Sequence, residues 1–430
     1  MLGTIRSLAG KISSKPFLKI GATLVTGTML SQAITVGMIP FLTRLYTPEA
    51  FGELAIFVSV SMLLGVFATL KYELAIILPE SNVDALGIVK LGAIISCLTG
   101  LFFFILLWFV KIFIFDINST FFFFIPINTT ILGVTSCCQN YLYRIKSYNV
   151  NSIMAVFQSL ILLACNLVFH RIFENQGMII SAIVCNLIVF IVYFLYVNYK
   201  YNFFEITSTI KRLEIKKYFY DYIEFPKIVL WSEFLLIFIQ QAPNALIAPI
   251  YSKSSVGFFS LVFRVLRIPT MVIGNAVGAV FMNEAIDQYR GKSEFSGLFK
   301  KSLKMLGIMG FIFFLFVGLF SPWVFEFVLG PNWGQAGKMA QLMSPLFFLD
   351  FISWPLMSIY IITKSFKLGL LVRLLTAISI PITIYAGYFF YKDIYKSILF
   401  FQISLIIFTI LHIVLTYYLS KGKKIFFDNN

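Results

Sequence analysis

Charge is what this sequence has least of for its length. Only 12% of its 430 residues are charged, where a soluble domain carries about 25%. Half the usual density cannot coat a water-soluble surface, so most of the chain must face lipid or other helices. Acidic residues are the scarcer kind, 19 against 34 basic ones, and the formal net charge is +15. No nucleic-acid-binding motif accompanies that charge, so DNA and RNA are not expected partners. Cysteines number five (Cys97, Cys137, Cys138, Cys165, Cys185), an odd count without C-x-x-C. A disulfide framework and a zinc site are therefore not indicated. No G-x-x-x-x-G-K-[ST] and no D-x-D occurs, which leaves direct ATP use and nucleotide-sugar transfer without their motifs. No catalytic role, cofactor or metal is expected. The two histidines, His170 and His412, lie near the ends of apolar runs and are expected at the interface.

What is present is apolar length. Hydrophobic residues make up 59% of the chain, and its mean hydropathy is +0.90. A hydrocarbon core of about 30 Å needs roughly 20 apolar residues in a helix. Runs of that length recur at 20–42, 52–78, 86–110, 120–143, 152–170, 177–198, 226–250, 255–283, 302–321, 338–362, 366–390 and 396–420. The fold class is thus an all-α polytopic membrane protein with about twelve transmembrane helices. The first run is too long for a signal-peptide core and is expected to be the first span. Before it, Leu2, Ile5, Leu8 and Ile12 oppose Arg6, Lys11, Lys15 and Lys19, a pattern compatible with an interfacial helix or a basic tail.

Lysine and arginine fix the orientation. One set of loops, with both tails, holds 23 of them and the opposite set holds 7. Both termini are therefore expected in the cytoplasm. The expected organisation is a basic segment (1–19), six spans (20–198), a cytoplasmic linker (199–225), six more spans (226–420) and a tail (421–430). Trp323 and Trp333 flank a short outer turn, where interfacial aromatics are common.

The two six-span sets carry a repeat. Gln32-Ala33 precedes Pro40 with six residues between, and Gln241-Ala242 precedes Pro249 in the same way. Tyr46 precedes Gly52 by six positions, as Tyr251 precedes Gly257. Six spans is an even number, so both copies start on one side and form two parallel halves. Transporters so built bind near the midplane and rock one half against the other. Prolines in or near spans (Pro40, Pro126, Pro243, Pro249, Pro269, Pro345, Pro355, Pro381) supply candidate kinks.

A charge at the bilayer centre costs about 2.5–3.5 kcal/mol on insertion scales, so each is a candidate site. Arg264 and Arg267, three apart, share one face of the eighth span. Arg373 and Lys71 lie closer to span ends, where they could snorkel. Glu73, two residues from Lys71, falls on a different face of a continuous helix. Glu233 lies in the seventh span, followed by a polar stripe of Gln240, Gln241 and Asn244, and Asp350 lies near the centre of the tenth. The first span adds Thr28, Ser31, Gln32 and Thr35. One reading has the cations bind an anion from a wet cavity, as arginine's fork suits phosphate. In the other, Arg264 and Arg267 pair with Glu233 or Asp350 to hold helices together. Glu233, Asp350 and Glu73 stand as ion-coupling or ion-pair candidates.

The segment Pro40-Phe-Leu-Thr-Arg-Leu-Tyr-Thr-Pro-Glu-Ala-Phe-Gly-Glu-Leu54, with Lys71-Tyr72-Glu73-Leu74-Ala75-Ile76 beyond it, resembles the opening of Wzx-type polysaccharide and O-antigen flippases. These belong to the MOP superfamily, with MATE exporters and lipid II flippases. The resemblance implies movement of undecaprenyl-diphosphate-linked oligosaccharide to the periplasmic face of the inner membrane. It also implies a polysaccharide polymerase and a chain-length regulator as partners, beside the lipid bilayer. The family expectation of buried basic residues in a central cavity falls on Arg264, Arg267 and Arg373, with Lys71, Gln32, Gln241 and Asn244 as further substrate-binding candidates. The alternatives are a MATE-type ion-coupled exporter of small molecules, or a membrane polymerase or glycosyltransferase.

Overall fold

Backbone groups in hydrocarbon must be satisfied within their own segment, which favours helices. The computed structural model describes residues 16–113 and 120–422, and among these no strand occurs. Each of the twelve apolar runs falls largely on helix. Nine stretches of the described residues are long and apolar enough to cross a membrane, and one of them, Tyr148–Tyr201, is two helices in succession. The first fifteen residues, with the interfacial helix considered for them, lie outside the described residues, as does the tail from 423. The described chain divides into two compact units. One comprises residues up to Leu42 with Val60–Phe234, the other Thr43–Ser59 with Leu235 onward.

The chain opens with α1 (Pro16–Gly37), α2 (Ile39–Leu45) and α3 (Pro48–Gly65). The first expected span is thus interrupted at Met38. Pro40 falls in the first turn of α2, where its missing N–H would be unpaired anyway, rather than inside a longer helix where it would break a bond. The second expected span also stops early. Beyond Gly65 the chain turns, with Leu70 and Lys71 at φ 49° and 66°, and resumes as a 3-10 helix over Tyr72–Ile77.

The first unit continues through α4 (Asn82–Phe113), α5 (Phe124–Arg144), α6 (Tyr148–Phe173) and α7 (Gly177–Tyr201). Here α1 packs on α6, α4 on α5, and α7 on both α5 and α6. The Ser31 hydroxyl donates to the Ala155 carbonyl at 2.9 Å, linking α1 to α6. Tyr72, Ala75 and Ile76 are fully buried against α4 and α5. The linker expected over 199–225 contains α8 (Phe203–Thr209) and α9 (Arg212–Asp221). The Glu214 carboxylate accepts from the Lys211 amide at 2.7 Å and caps the start of α9. Both helices are pinned to α4. The Tyr218 hydroxyl donates to Asp84 at 2.7 Å, and Lys90 Nζ donates to the Thr207 carbonyl at 2.7 Å. Burial, then the Asp84 carboxylate, raise the Tyr218 phenol above its ordinary pKa.

The remaining helices are α10 (Leu230–Ile247), α11 (Lys253–Pro269), α12 (Asn275–Lys292), α13 (Ser296–Leu329), α14 (Gly334–Ser353), α15 (Ile359–Ile362), α16 (Phe366–Tyr391) and α17 (Ile394–Ser420). A π turn over Thr270–Gly274 follows Pro269, whose ring removes one N–H from the helical ladder. Helices α13 and α14 form a hairpin whose corner is Gly330 at φ 109°, a left-handed backbone that glycine adopts without strain. Next to it Trp333 is fully buried against other side chains, whereas Trp323 is 65% exposed. The Trp333 indole donates to the Thr43 carbonyl at 2.9 Å and meets Phe51 and Phe258 edge-on, at 4.9 and 5.8 Å between centroids.

The Tyr-to-Gly repeat has a structural counterpart in this unit. A Cβ on Gly52 would overlap the Lys253 carbonyl oxygen, and one on Gly257 would overlap the Pro48 carbonyl oxygen. Each glycine thus meets the residue four positions before the other, a two-fold-like crossing of α3 and α11. Lys253 also pairs with Glu53 at 2.6 Å, and the Ser254 hydroxyl donates to Glu49.

Candidate functional site

A cavity of about 180 Å³ lies inside the second unit, lined from α10, α11, α14, α15, α16 and α17. Four of its lining side chains are ionisable in the ordinary range or permanently charged: Arg267, Asp350, Arg373 and His412. Pro355 follows the end of α14, and the chain tightens into a 3-10 turn over Trp354–Ser358. That turn presents the Trp354 ring to Arg267, whose guanidinium carbon lies 5.2 Å from the ring centroid. The same indole donates to Asn275 Oδ1 at 2.8 Å, which fixes the ring. A cation over a tryptophan face gains about 0.5–2 kcal/mol. Arg267 is therefore held in place by the ring rather than by a close ion pair.

Asp350 faces the same cavity and interacts electrostatically with Arg267. Within this unit neither Arg264, Arg267 nor Asp350 forms an ion pair at 4.0 Å or less with another described residue. Arg264, one turn before Arg267, is exposed. His412, expected near the interface, is instead buried on α17, where its ring packs against Tyr360. Its Nδ1 lies 3.0 Å from the Tyr360 hydroxyl. The Ser353 backbone also interacts with the His412 ring. Two arginines against one carboxylate leave the cavity cationic. Its volume is below the ~300–1,000 Å³ of drug-sized sites and matches an anion of headgroup size.

The other candidates lie elsewhere. Gln241 accepts from the Ser59 hydroxyl at 2.9 Å, and Asn244 donates to the same oxygen at 3.1 Å. This trio ties α3 to α10 and does not line the arginine cavity. Gln32 is exposed on α1, and Glu233 is half-buried at the start of α10. Lys71 and Glu73 are not on different faces as a continuous helix would place them. The unwound backbone brings Lys71 Nζ to 3.4 Å from Glu73, whose other oxygen accepts from the Thr69 hydroxyl. Thr99 donates to the freed Ala68 carbonyl at 2.8 Å, replacing a lost helical bond. No group of three histidine, cysteine or acidic side chains arranged for a metal occurs among the described residues.

Residues 41–338, more than half of the chain, match the family model described as "Polysaccharide biosynthesis protein". The chain belongs to that family. No curated protein matches this polysaccharide biosynthesis protein in sequence. Among solved structures, a multidrug resistance MATE transporter of the MOP superfamily, inward-facing, aligns with a TM-score of 0.70 at 11% identity, covering 90% of this chain and 97% of its own. The lipid II flippase MurJ, inward closed, aligns with a TM-score of 0.68 at 11% identity, covering 94% and 90%. A MOP superfamily transporter from Pyrococcus furiosus, described as having a binding pocket of reverse polarity, gives 0.56 at 12% identity, covering 96% and 98%. The fold of this family member is the all-helical fold of these MOP superfamily transporters.

Proposed function

We propose that the chain is a flippase that turns undecaprenyl-diphosphate-linked oligosaccharide repeat units from the cytoplasmic to the periplasmic face of the bacterial inner membrane. The product feeds a surface polysaccharide, O-antigen or capsule. The carrying observation is a polysaccharide biosynthesis protein whose transporter-type fold encloses a cationic cavity. The physical task is to move a diphosphate past hydrocarbon. Arg267 and Arg373 receive it, with Arg264 exposed one turn away to take the approaching charge. Few cations in a wet site suit reversible binding better than a closed cage. The sugars travel outside the cavity, and the polyprenyl tail stays in lipid. Asp350, beside Arg267, is the group placed to couple an ion to anion release. Glu73 is already engaged by Lys71 and Thr69, which favours a structural role for that pair. A cation excess disfavours export of cationic small molecules.

The test is deletion in the native host, following lipid-linked oligosaccharide by membrane face. Accumulation on the cytoplasmic face, relieved by the wild-type chain but not by Arg264→Ala with Arg267→Ala at equal membrane abundance, is the expected result. Normal outward delivery in the deletion strain, with no second copy of the gene, would overturn the reading.

A further inference from the structure

A second recess lies at the other polarity extreme of the same unit. It is open, about 780 Å³, and bounded by three short connections that are far apart in sequence. The turn before α3 brings Thr47 and Glu49, the turn before α11 brings Ser252 and Ser254, and the α13–α14 corner brings Asn332 and Gln335. All three connections lie on the face poor in lysine and arginine, which the charge asymmetry assigns to the periplasm.

Its walls are polar and its floor is rigid. Glu49 and Glu326 supply carboxylates, Lys338 the one ammonium, and the hydroxyls and amides add donors and acceptors of both kinds. Phe258 and prolines give an apolar backing. The Trp333 anchor beneath Phe258 and the glycine crossing at Gly52 and Gly257 lock the walls relative to one another. A preformed site loses little on ordering. Two carboxylates against one ammonium repel a diphosphate, so this recess and the arginine cavity select opposite ends of one molecule. What suits mixed donors and acceptors over an apolar backing is a ring bearing hydroxyl groups, and the volume lies within the ~300–1,000 Å³ of small-molecule sites.

We propose that this recess is a saccharide-binding site that holds the sugar end of the cargo as it emerges. The proposal rests on the flippase reading for the source of the sugar. Its test uses the full-length chain in native membranes, with Gln335→Cys as a reporter on the rim and Gln176→Cys, exposed on the connection between α6 and α7 and no part of the lining, as the comparison reporter. Labelling by a membrane-impermeant maleimide is compared between cells making the lipid-linked oligosaccharide and cells blocked in its first glycosyl transfer, after subtracting label on native cysteines. The expected result is slower labelling at Gln335→Cys only, by about twofold or more, as half-occupancy requires. Asn332→Ala with Gln335→Ala should then slow outward delivery at unchanged membrane abundance. Equal labelling in both strains, or unchanged delivery by that double variant, overturns the recess as a saccharide site. If the deletion strain still accumulates cytoplasmic-face cargo, the flippase reading survives that result; if it delivers normally, the flippase reading itself has failed.

Discussion

Gly52 and Gly257 offer the sharpest test of how the second unit is held together. A Cβ on Gly52 would lie 2.7 Å from the Lys253 carbonyl carbon and nearer still to its oxygen; one on Gly257 would lie 3.0 Å from both the Gly52 nitrogen and the Pro48 carbonyl carbon. Ordinary contacts begin near 3.4 Å, so Gly52→Ala requires the two backbones to part by the order of 1 Å. Neither obstacle is a side chain that could swing aside. Overpacking costs about 1–3 kcal/mol, with stiff surroundings at the upper end. Alanine's helix propensity returns at most about 1 kcal/mol, so the net loss is about 2 kcal/mol. Gly307, inside α13, is the control, because a Cβ there meets nothing within 4 Å. Gly307→Ala should be neutral or stabilising by up to about 1 kcal/mol. The assay is thermal unfolding of the two purified variants in the same detergent. At roughly 2–4 °C per kcal/mol or less for chains of this size, they should shift in opposite directions. If Gly52→Ala melts at or above Gly307→Ala, the crossing is not the tight contact described.

Further outcomes follow from individual contacts. Lys71→Met leaves the buried Glu73 carboxylate without its cation and should cost about 3–5 kcal/mol, whereas adding Glu73→Met should recover much of that loss; apparent melting temperatures of the single and double variants decide. Trp333→Ala should cost about 3–5 kcal/mol by cavity formation and Trp333→Phe less, read by the same melts. Removing the exposed pair by Lys253→Ala should cost under about 1 kcal/mol, since the Lys253 side chain is 58% accessible. Tyr218→Phe breaks the bond that pins α9 to Asp84 and should speed amide exchange across 212–221. Because the folded Tyr218 pKa is raised, its contribution is fully present below the ordinary phenol pKa. It is lost as pH rises through the folded value, so wild type should approach the Tyr218→Phe exchange pattern only in strong alkali.

The helical body was legible because it depends on a quantity that survives averaging, the length of the apolar runs. Interruptions were less so. Gly65 ends α3 although the apolar run continues to Leu78, since the pattern of apolar residues reports what faces lipid and not which carbonyls are bonded. The left-handed residues Leu70 and Lys71 carry no glycine or asparagine to announce them. The repeat of tyrosine and glycine pointed to duplicated halves, yet not to the fact that the two glycines meet. Arg267 and Asp350 could be picked out by counting as charges inside apolar runs. Their shared cavity could not, because it requires the 3-10 turn at Trp354 to aim the indole. His412 was misjudged for a plain reason: distance from a helix end predicts depth, whereas burial depends on which neighbour lies opposite.

The modest size of the arginine cavity bears on how such a chain could diversify. A compartment of about 180 Å³ can grip a handle but cannot inspect the load hung from it. If the flippase reading proposed above holds, whatever is common from one cargo to the next is judged inside α11, α14 and α16, where changes are costly. Whatever differs is then left to the short turns outside, where residues are exposed and replacement is cheap. Swapping those turns between relatives should therefore change preference while leaving the interior untouched.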